Sequence, residues 1–503
     1  MNFSKTALII GAGPAGLSAA IDLIDKGIKP ILIETENEIG GLSKTLIYNG
    51  NKVDIGPHRF FSKEQKILDL WENLIPTQGF PAIDDAILNR DNSFFNGNSN
   101  PEKEEKSMLK RRRISRILYN KRFFDYPIKL NINTLKNLGL KDSLIAISSY
   151  FKSCIIKNPE VSLENFIINR YGKFLYKMFF ENHTQKVWGQ HPNKIPQEWG
   201  VQRIKGISIF KDLFKNPLSL IDEYFYPKNG CSQLWEEMAE CIIAKGGEIH
   251  TNATVESLKI ENKKIVSIKV NKDGQTNDWY GDYIISSMPI QELILGMDSV
   301  PNSIKNVAKS LSYRDYIMTT FVVKDFKLKN NTKFKTINNI PPDSWIYTQQ
   351  RDVKVGRLYT PQTFSPYLGD MENTVVCLEY FCSENDELWL KSEKEFIDFS
   401  IEELKKIGII NDNSEVLESY QFKVKKAYPG HFGAYKDFGV IKDFINHIDN
   451  LYPIGRNGQH KYNNMDHSML SGIIASEIIV NNLPKEYIWE VNTDKIYNEI
   501  KNK

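Results

Sequence analysis

Gly11-Ala12-Gly13-Pro14-Ala15-Gly16 have the composition and spacing of a loop that grips phosphate. They follow a short apolar run, residues 6–10, and lead into an apolar, helix-periodic stretch, residues 17–24. A second apolar run, residues 30–33, ends on Glu34. Strand, glycine turn, helix, strand and acid in that order make the unit that holds a dinucleotide. Gly11 suits the tight turn, Gly13 removes a Cβ that would block a pyrophosphate, and Gly16 lets helix and strand approach. The first N–H groups of the helix lack intrahelical partners and carry its positive dipole end, so they attract phosphate. Glu34 stands about twenty residues on, where a carboxylate can accept ribose hydroxyls.

The following residues point to FAD rather than a nicotinamide. Gly40-Gly41-Leu42-Ser43 comes within a few residues of the acid, and Gly56-Pro57-His58 soon after. Two more glycine turns in quick succession suit backbone passing close to a long ligand. Near the other end, Gly455-Arg456-Asn-Gly458 and Tyr462-Asn-Asn464-Met465-Asp466-His467-Ser468 run into an apolar helix pattern. Asp466 and Ser468 are the expected N-caps. A helix start aimed at the ring would stabilise the negative charge of a reduced flavin. Gly472 is expected to let that helix touch the ligand.

On these residues the chain resembles the FAD enzymes that include UDP-galactopyranose mutase, protoporphyrinogen oxidase and the amine oxidases. The run from Gly455 to Ser468 is most similar to the eukaryotic-type UDP-galactopyranose mutases, which carry Gly-Arg-x-Gly, a Tyr, then Asn-x-Asp-His-Ser. Gly56-Pro57-His58 fills the place of their Gly-Gly-His beneath the flavin, with Pro57 for a glycine. Lys186-Val187-Trp188 followed by Arg203 resembles their nucleotide-sugar stretch, Tyr428-Pro429 their Tyr-Pro near the diphosphate, and Arg357 their diphosphate arginine. The resemblance implies that FAD rests on Gly11, Gly13, Pro14, Ala15, Gly16, Glu34, Gly41, Leu42, Ser43, Gly56, Pro57 and His58. It adds Val255 at the adenine end, and Gly455, Arg456, Asn464, Met465, Asp466 and Ser468 from the last segment. It implies a nucleotide-sugar pyranose/furanose mutase that uses reduced flavin N5 as nucleophile, in cell-surface polysaccharide synthesis, with an external reductant for the flavin. His58, Arg203, Arg357, Tyr428, Arg456 and Tyr462 would then form the catalytic set. Arginine can meet the charge of a leaving diphosphate bidentately. The alternative is an FAD oxidoreductase of the protoporphyrinogen oxidase or amine oxidase type, taking hydride from substrate onto N5. Trp188, Phe60, Phe61 and Tyr316 would suit its apolar cavity.

The elements that must position these residues follow from length and pattern. At 503 residues, two or three domains are expected. The order of elements predicts an α/β chain. A Rossmann-type FAD-binding domain is assembled from residues 1–62, 226–295 and 450–485. Residues 63–225 form a helical and insertion lobe, and 296–449 a mixed-sheet substrate domain crossed by a helix at 393–407. Within the lobe, 84–107 reads as a polar surface insertion that includes Asp84 and Asp85. Lys110-Arg-Arg-Arg113 reads as a solvated loop or strand edge, with a basic patch for an anionic substrate as the alternative. Residues 114–127 read as a hairpin. Across 130–185, Leu135, Leu138, Leu144, Ile145, Ile147, Tyr150 and Phe151 recur at near-helical spacing. Their mixed polar face favours a packed lobe over a membrane-touching helix.

Composition excludes several classes. A net charge of +3 implies no nucleic-acid partner. Five scattered cysteines without CxxC spacing read as reduced residues, with no metal site. No apolar run approaches a membrane span, and the first strand starts too early for a signal peptide. A cytoplasmic enzyme acting on a small molecule, without integral membrane contact, is expected.

Overall fold

The computed structural model describes residues 3–91, 93, 95–128, 131–197 and 223–493. Four helices matter below: α1 (Pro14–Asp25), α2 (Ile132–Ile155), α3 (Leu163–Phe179) and α4 (Met465–Asn481).

A five-stranded parallel sheet gathers three distant parts of the chain. Its order is Leu451–Pro453, Tyr283–Ser286, Lys5–Ile10, Ile28–Ile33, Glu248–His250. A parallel sheet is covered on both faces, so its central strand is an unbroken apolar run. Ala7, Leu8 and Ile9 are accordingly buried. α1 lies against α4 at a distance only glycine permits. A Cβ on Gly472 would collide with the Ala15 carbonyl and come within 2.9 Å of the Ala19 nitrogen. Gly472 therefore serves helix–helix packing, not the ligand contact expected of it.

The second sheet has seven strands, in the order Val416–Pro429, Tyr313–Val323, Thr374–Cys382, Arg357–Tyr359, Trp345–Thr348, Ser115–Tyr119, Arg122–Asp125. All pairs are antiparallel except Trp345–Thr348 with Ser115–Tyr119. The hairpin read at 114–127 thus exists, but it extends this sheet. The helix Glu393–Ile407 crosses the sheet where expected. Ser392 caps its start and Gly408, in the left-handed region, its end.

Asp84 and Asp85 do not lie in a surface loop. They sit buried in a short helix, Ile83–Ile87. Arg111 Nη2 reaches Asp84 at 3.2 Å, and Arg90 Nη1 reaches it at 2.7 Å. Arg111 Nη1 is 3.4 Å from Asp85. Local composition counts such charges as surface; partners from a distant strand let them be buried. Lys110–Arg113 overlaps that strand, Met108–Arg112, which pairs with Glu223–Pro227. Arg111 is spent on the two aspartates and Lys110 on Glu223, at 3.0 Å. Neither feeds a basic patch for substrate.

The stretch read as helical, 130–185, does hold α2 and α3. α2 is capped by the Asn131 side chain, which accepts from Thr134 N at 2.8 Å, and is kinked at Gly139. α3 packs on it through Gly172, where a Cβ would press within 2.8 Å of the Tyr150 nitrogen. The periodic residues divide unexpectedly. Tyr150 is buried, but Leu144, Ile145, Ile147 and Phe151 face outward. Among the described residues no helix is long and apolar enough to cross a membrane.

Candidate functional site

The glycine turn is built by the strand before it and the helix after it. Gly11 has φ +96°, and its N–H donates to the Ile33 carbonyl at 2.8 Å. A Cβ on Gly16 would sit 3.1 Å from the Gly11 carbonyl carbon and 3.3 Å from Ile9 Cγ2, so this glycine locks helix to strand. Gly13 differs. Its φ of −85° suits any residue, and its Cβ would meet nothing closer than Gly41 Cα at 3.6 Å. The protein itself has room for that methyl. What a Cβ there would obstruct is the space at the start of α1, where Pro14 occupies the first helical position. The second glycine turn closes this space from the other side, with Gly40 N donating to Ala12 O at 2.9 Å. Ser43 Oγ braces that turn by donating to Gly40 O at 3.0 Å, and Leu42 packs on the core.

Glu34 ends its strand beside this cradle. Its carboxylate accepts from Ala12 N at 2.8 Å and Glu36 N at 3.0 Å. Burial raises its pKa above the ordinary range. The Glu34 carbonyl accepts from Ala253 N at 2.8 Å, which brings in the strand Ala253–Glu261 with Val255 buried on it. Glycine cradle, helix start, acid and Val255 are thus contiguous.

The other end lies between the 56–58 turn and the seven-stranded sheet. Gly56 has φ +88°, and a Cβ on it would come within 2.9 Å of Glu379 Oε1 and 3.6 Å of the Tyr316 hydroxyl. Arg357 Nε donates to Glu379 Oε2, and Arg357 Nη2 to the Tyr428 hydroxyl at 3.3 Å. The Tyr428 and Tyr462 rings stack with centroids 5.8 Å apart. The Arg456 guanidinium lies over both, 5.6 and 4.8 Å from their centroids. Carbonyls hold it there: Asn463 O at 2.9 Å and Ala427 O at 3.0 Å. Among the described residues it has no ion-pair partner. Burial pushes the Tyr428 hydroxyl up to about 12. It keeps its proton, and because it accepts from Arg357 that proton is available to donate.

His58 faces this group. Burial foremost, then the charges of Arg456 and Arg357, bring its pKa down to about 3, so the imidazole is neutral. Its Nδ1 is buried with no hydrogen-bond partner. Asp54 Oδ2, 3.9 Å away, is beyond bonding reach. That carboxylate is already taken by the Tyr226 hydroxyl at 2.6 Å and the Cys231 thiol at 2.8 Å.

The last segment departs from expectation at its helix start. Asn464 is the N-cap, its N–H donating to His467 Nδ1 at 3.4 Å. Met465 opens the helix, so Asp466 and Ser468 lie inside the first turn rather than capping it. The helix starts earlier because Asn464 is itself a good cap residue. Gly455, with φ +72°, is tied to α4 by its N–H to Ser471 Oγ at 2.8 Å.

Lys186 donates to the carbonyls of Gln350 at 2.8 Å, Val355 at 3.3 Å and Thr348 at 3.4 Å, and burial lowers its pKa to about 8. It braces a loop rather than meeting a ligand. Trp188 packs edge-on against Tyr428. Arg203 lies outside the described residues. The structure therefore brings together His58, Arg357, Tyr428, Arg456 and Tyr462. It adds Glu379, which sequence reading missed although it is the one charge in the apolar run 375–381.

These features define the class. A cradle open at Gly13 but closed at Gly16, a helix start facing it, a carboxylate at the strand end and an orphaned imidazole at the far end fit FAD. Comparison with known proteins agrees. Residues 14–456 match the model of the flavin containing amine oxidoreductases, and the chain belongs to that family; its cofactor is FAD. A 4,4'-diapophytoene desaturase (4,4'-diapolycopene-forming) of Methylomonas sp is 24% identical over 338 residues, 64% of this chain and 60% of that protein. A 1-hydroxycarotenoid 3,4-desaturase of Flavobacterium sp. (strain P99-3) is 23% identical over 308 residues, 57% of each. The chain thus spans about 60% of the length of these curated relatives. Among solved structures, reduced UDP-galactopyranose mutase matches with a TM-score of 0.78 at 18% identity, covering 98% of this chain and 100% of that one. A putative protoporphyrinogen oxidase from Exiguobacterium sp. 255-15 matches with a TM-score of 0.67 at 14% identity, covering 95% and 99%. At such identities the likeness shows the shared fold.

Proposed function

We propose that this flavoenzyme is a nucleotide-sugar pyranose/furanose mutase of the UDP-galactopyranose mutase type, serving cell-surface polysaccharide synthesis in the cytoplasm. The observation that carries this reading is the half-buried group of Arg357, Arg456, Tyr428 and Tyr462 facing His58. Two guanidiniums and two phenols recognise a diphosphate: the cations meet its charge and the hydroxyls donate to its oxygens. A hydrocarbon would gain nothing from them. Likeness to the mutase fold over nearly the whole chain supports the same reading. Reduced FAD supplies a nucleophilic N5. The chain's own residues do the rest. Gly13 and the start of α1 would hold the cofactor's pyrophosphate, and Glu34 its ribose. His58, neutral, would face the ring without adding a third cation to Arg357 and Arg456. Arg357 and Arg456 retain the departing nucleoside diphosphate until it is returned to the sugar, with Arg203 as a further proposed contact.

A second reading, hydride transfer from an apolar substrate, draws on the desaturase relatives and on the aromatic walls. Trp345 and Phe381 flank Arg357 at 5.7 and 6.0 Å. One experiment separates the two. The dithionite-reduced protein is given UDP-galactose without oxygen, and the products are resolved by anion-exchange chromatography. Furanose formation without net flavin oxidation is expected, and Arg456→Met weakens UDP binding more than tenfold. No furanose, together with unchanged UDP affinity in Arg456→Met, refutes the mutase reading.

A further inference from the structure

α2 turns an apolar stripe toward solvent. Leu140, Leu144, Ile147, Phe151 and Ile155 recur at intervals of four, three, four and four, one face of a helix. That face is not the one packed on α3. Ser143, Ala146, Tyr150 and Ser153 fill the buried face. Leu140 is 81% exposed, Phe151 52% and Ile155 84%. The stripe continues past the helix end through exposed Ile156 and Val161. Isolated exposed leucines need no explanation, but a contiguous apolar stripe marks a docking surface.

Charge identifies the occupant. On α2, α3 and the turn between them, Lys136, Lys141, Lys152, Lys157, Lys173 and Lys177 are all exposed. The carboxylates of the same stretch, Asp142, Glu160 and Glu164, are all partly buried, and Glu160 is paired with Arg170 at 2.6 Å. Solvent therefore meets apolar side chains bordered by ammonium groups. An exposed apolar stripe bordered by lysines suits the plane of a bilayer, with its apolar side chains in the acyl boundary and its lysines at anionic headgroups. We propose that the outward face of α2 docks the enzyme on an anionic lipid surface, without crossing it. The polar face that looked mixed in sequence is biased by the fold, which leaves the lysines more exposed than the acids.

The FAD-loaded protein is tested by flotation with vesicles of phosphatidylcholine containing about 30% phosphatidylglycerol, and with pure phosphatidylcholine. Binding to the anionic vesicles is expected, at least tenfold weaker on the neutral ones and weakened by salt. Leu144→Glu/Phe151→Glu is expected to lose binding at least tenfold while keeping its flavin absorbance. Cys154, more exposed than the other four cysteines, lies beside the stripe and gives a readout without substituting any of its residues. A polarity-sensitive maleimide there is expected to shift to the blue on anionic vesicles. Three results overturn the proposal: no flotation of the wild type, a Cys154 that does not label in the native protein, or a dimer by light scattering that Leu144→Glu/Phe151→Glu converts to monomer.

Discussion

Removing the Arg357 guanidinium should expose how the site is held. Glu379 is 1% exposed, and Arg357 is its sole ion-pair partner among the described residues. Its second oxygen, Oε1, is buried without a donor. Arg357→Met leaves this carboxylate buried and uncompensated, which costs about 3–5 kcal/mol. Glu379→Gln is milder. Arg357 keeps the Tyr428 hydroxyl and some access to solvent, so the cost is that of a lost charge-assisted bond, about 1.5–3 kcal/mol. In the double variant neither charge is stranded, and the loss should fall well below the sum of the singles. A coupling of about 2–3 kcal/mol is expected. Urea unfolding of the holoenzyme in excess FAD, followed by tryptophan fluorescence, measures all four states. If Arg357→Met costs less than about 1 kcal/mol, or the two losses add, Glu379 does not depend on this cation and the account of the site fails.

Gly13→Ala should fold like the wild type, because the protein leaves room for the methyl, yet bind FAD at least about tenfold more weakly, ~1.4 kcal/mol; titration of the apoprotein followed by flavin fluorescence measures it, and unchanged affinity would remove the pyrophosphate from that cradle. Gly472→Leu should lower stability by about 1–3 kcal/mol or more by forcing α1 from α4, read as a fall in Tm, with Gly472→Ala intermediate; an unchanged Tm in both would contradict the close helix contact. His58, His183 and His460 are each brought down to about 3, chiefly by burial, from an ordinary 6.5. Between those values the unfolded chain binds protons that the folded one does not. Stability is therefore full above pH 6.5 and falls toward pH 3, by up to about 1.4 kcal/mol per pH unit for each histidine. His183→Gln should reduce that slope by one such share, and an identical slope in the variant would mean that His183 already titrates in the native state.

The glycine cradle was legible because its parts are neighbours in the chain. Gly11, Gly13, Gly16 and Glu34 are set by one strand, one turn and one helix, and local backbone geometry decides them. The helix at Glu393–Ile407 was legible for the same reason, its capping box and terminal glycine being adjacent to it. Arg357, Tyr428, Arg456 and Tyr462 were identifiable as residue types, but their meeting was not. Arg357 stands opposite Glu379 only because two antiparallel strands pair in that register, and Tyr428 joins them from a third strand of the same sheet.

Periodicity states that a segment has an apolar face and not which way it turns. For α2 the sequence by itself determined a helix with a stripe. Only packing against α3 through Gly172 decided that the stripe looks outward. Asp84 and Asp85 make the same point for charge. Residue type determined that two carboxylates stand side by side. Arg111, brought by the strand Met108–Arg112, decided that they could leave water, because a buried charge is tolerated only where tertiary structure supplies its counter-charge.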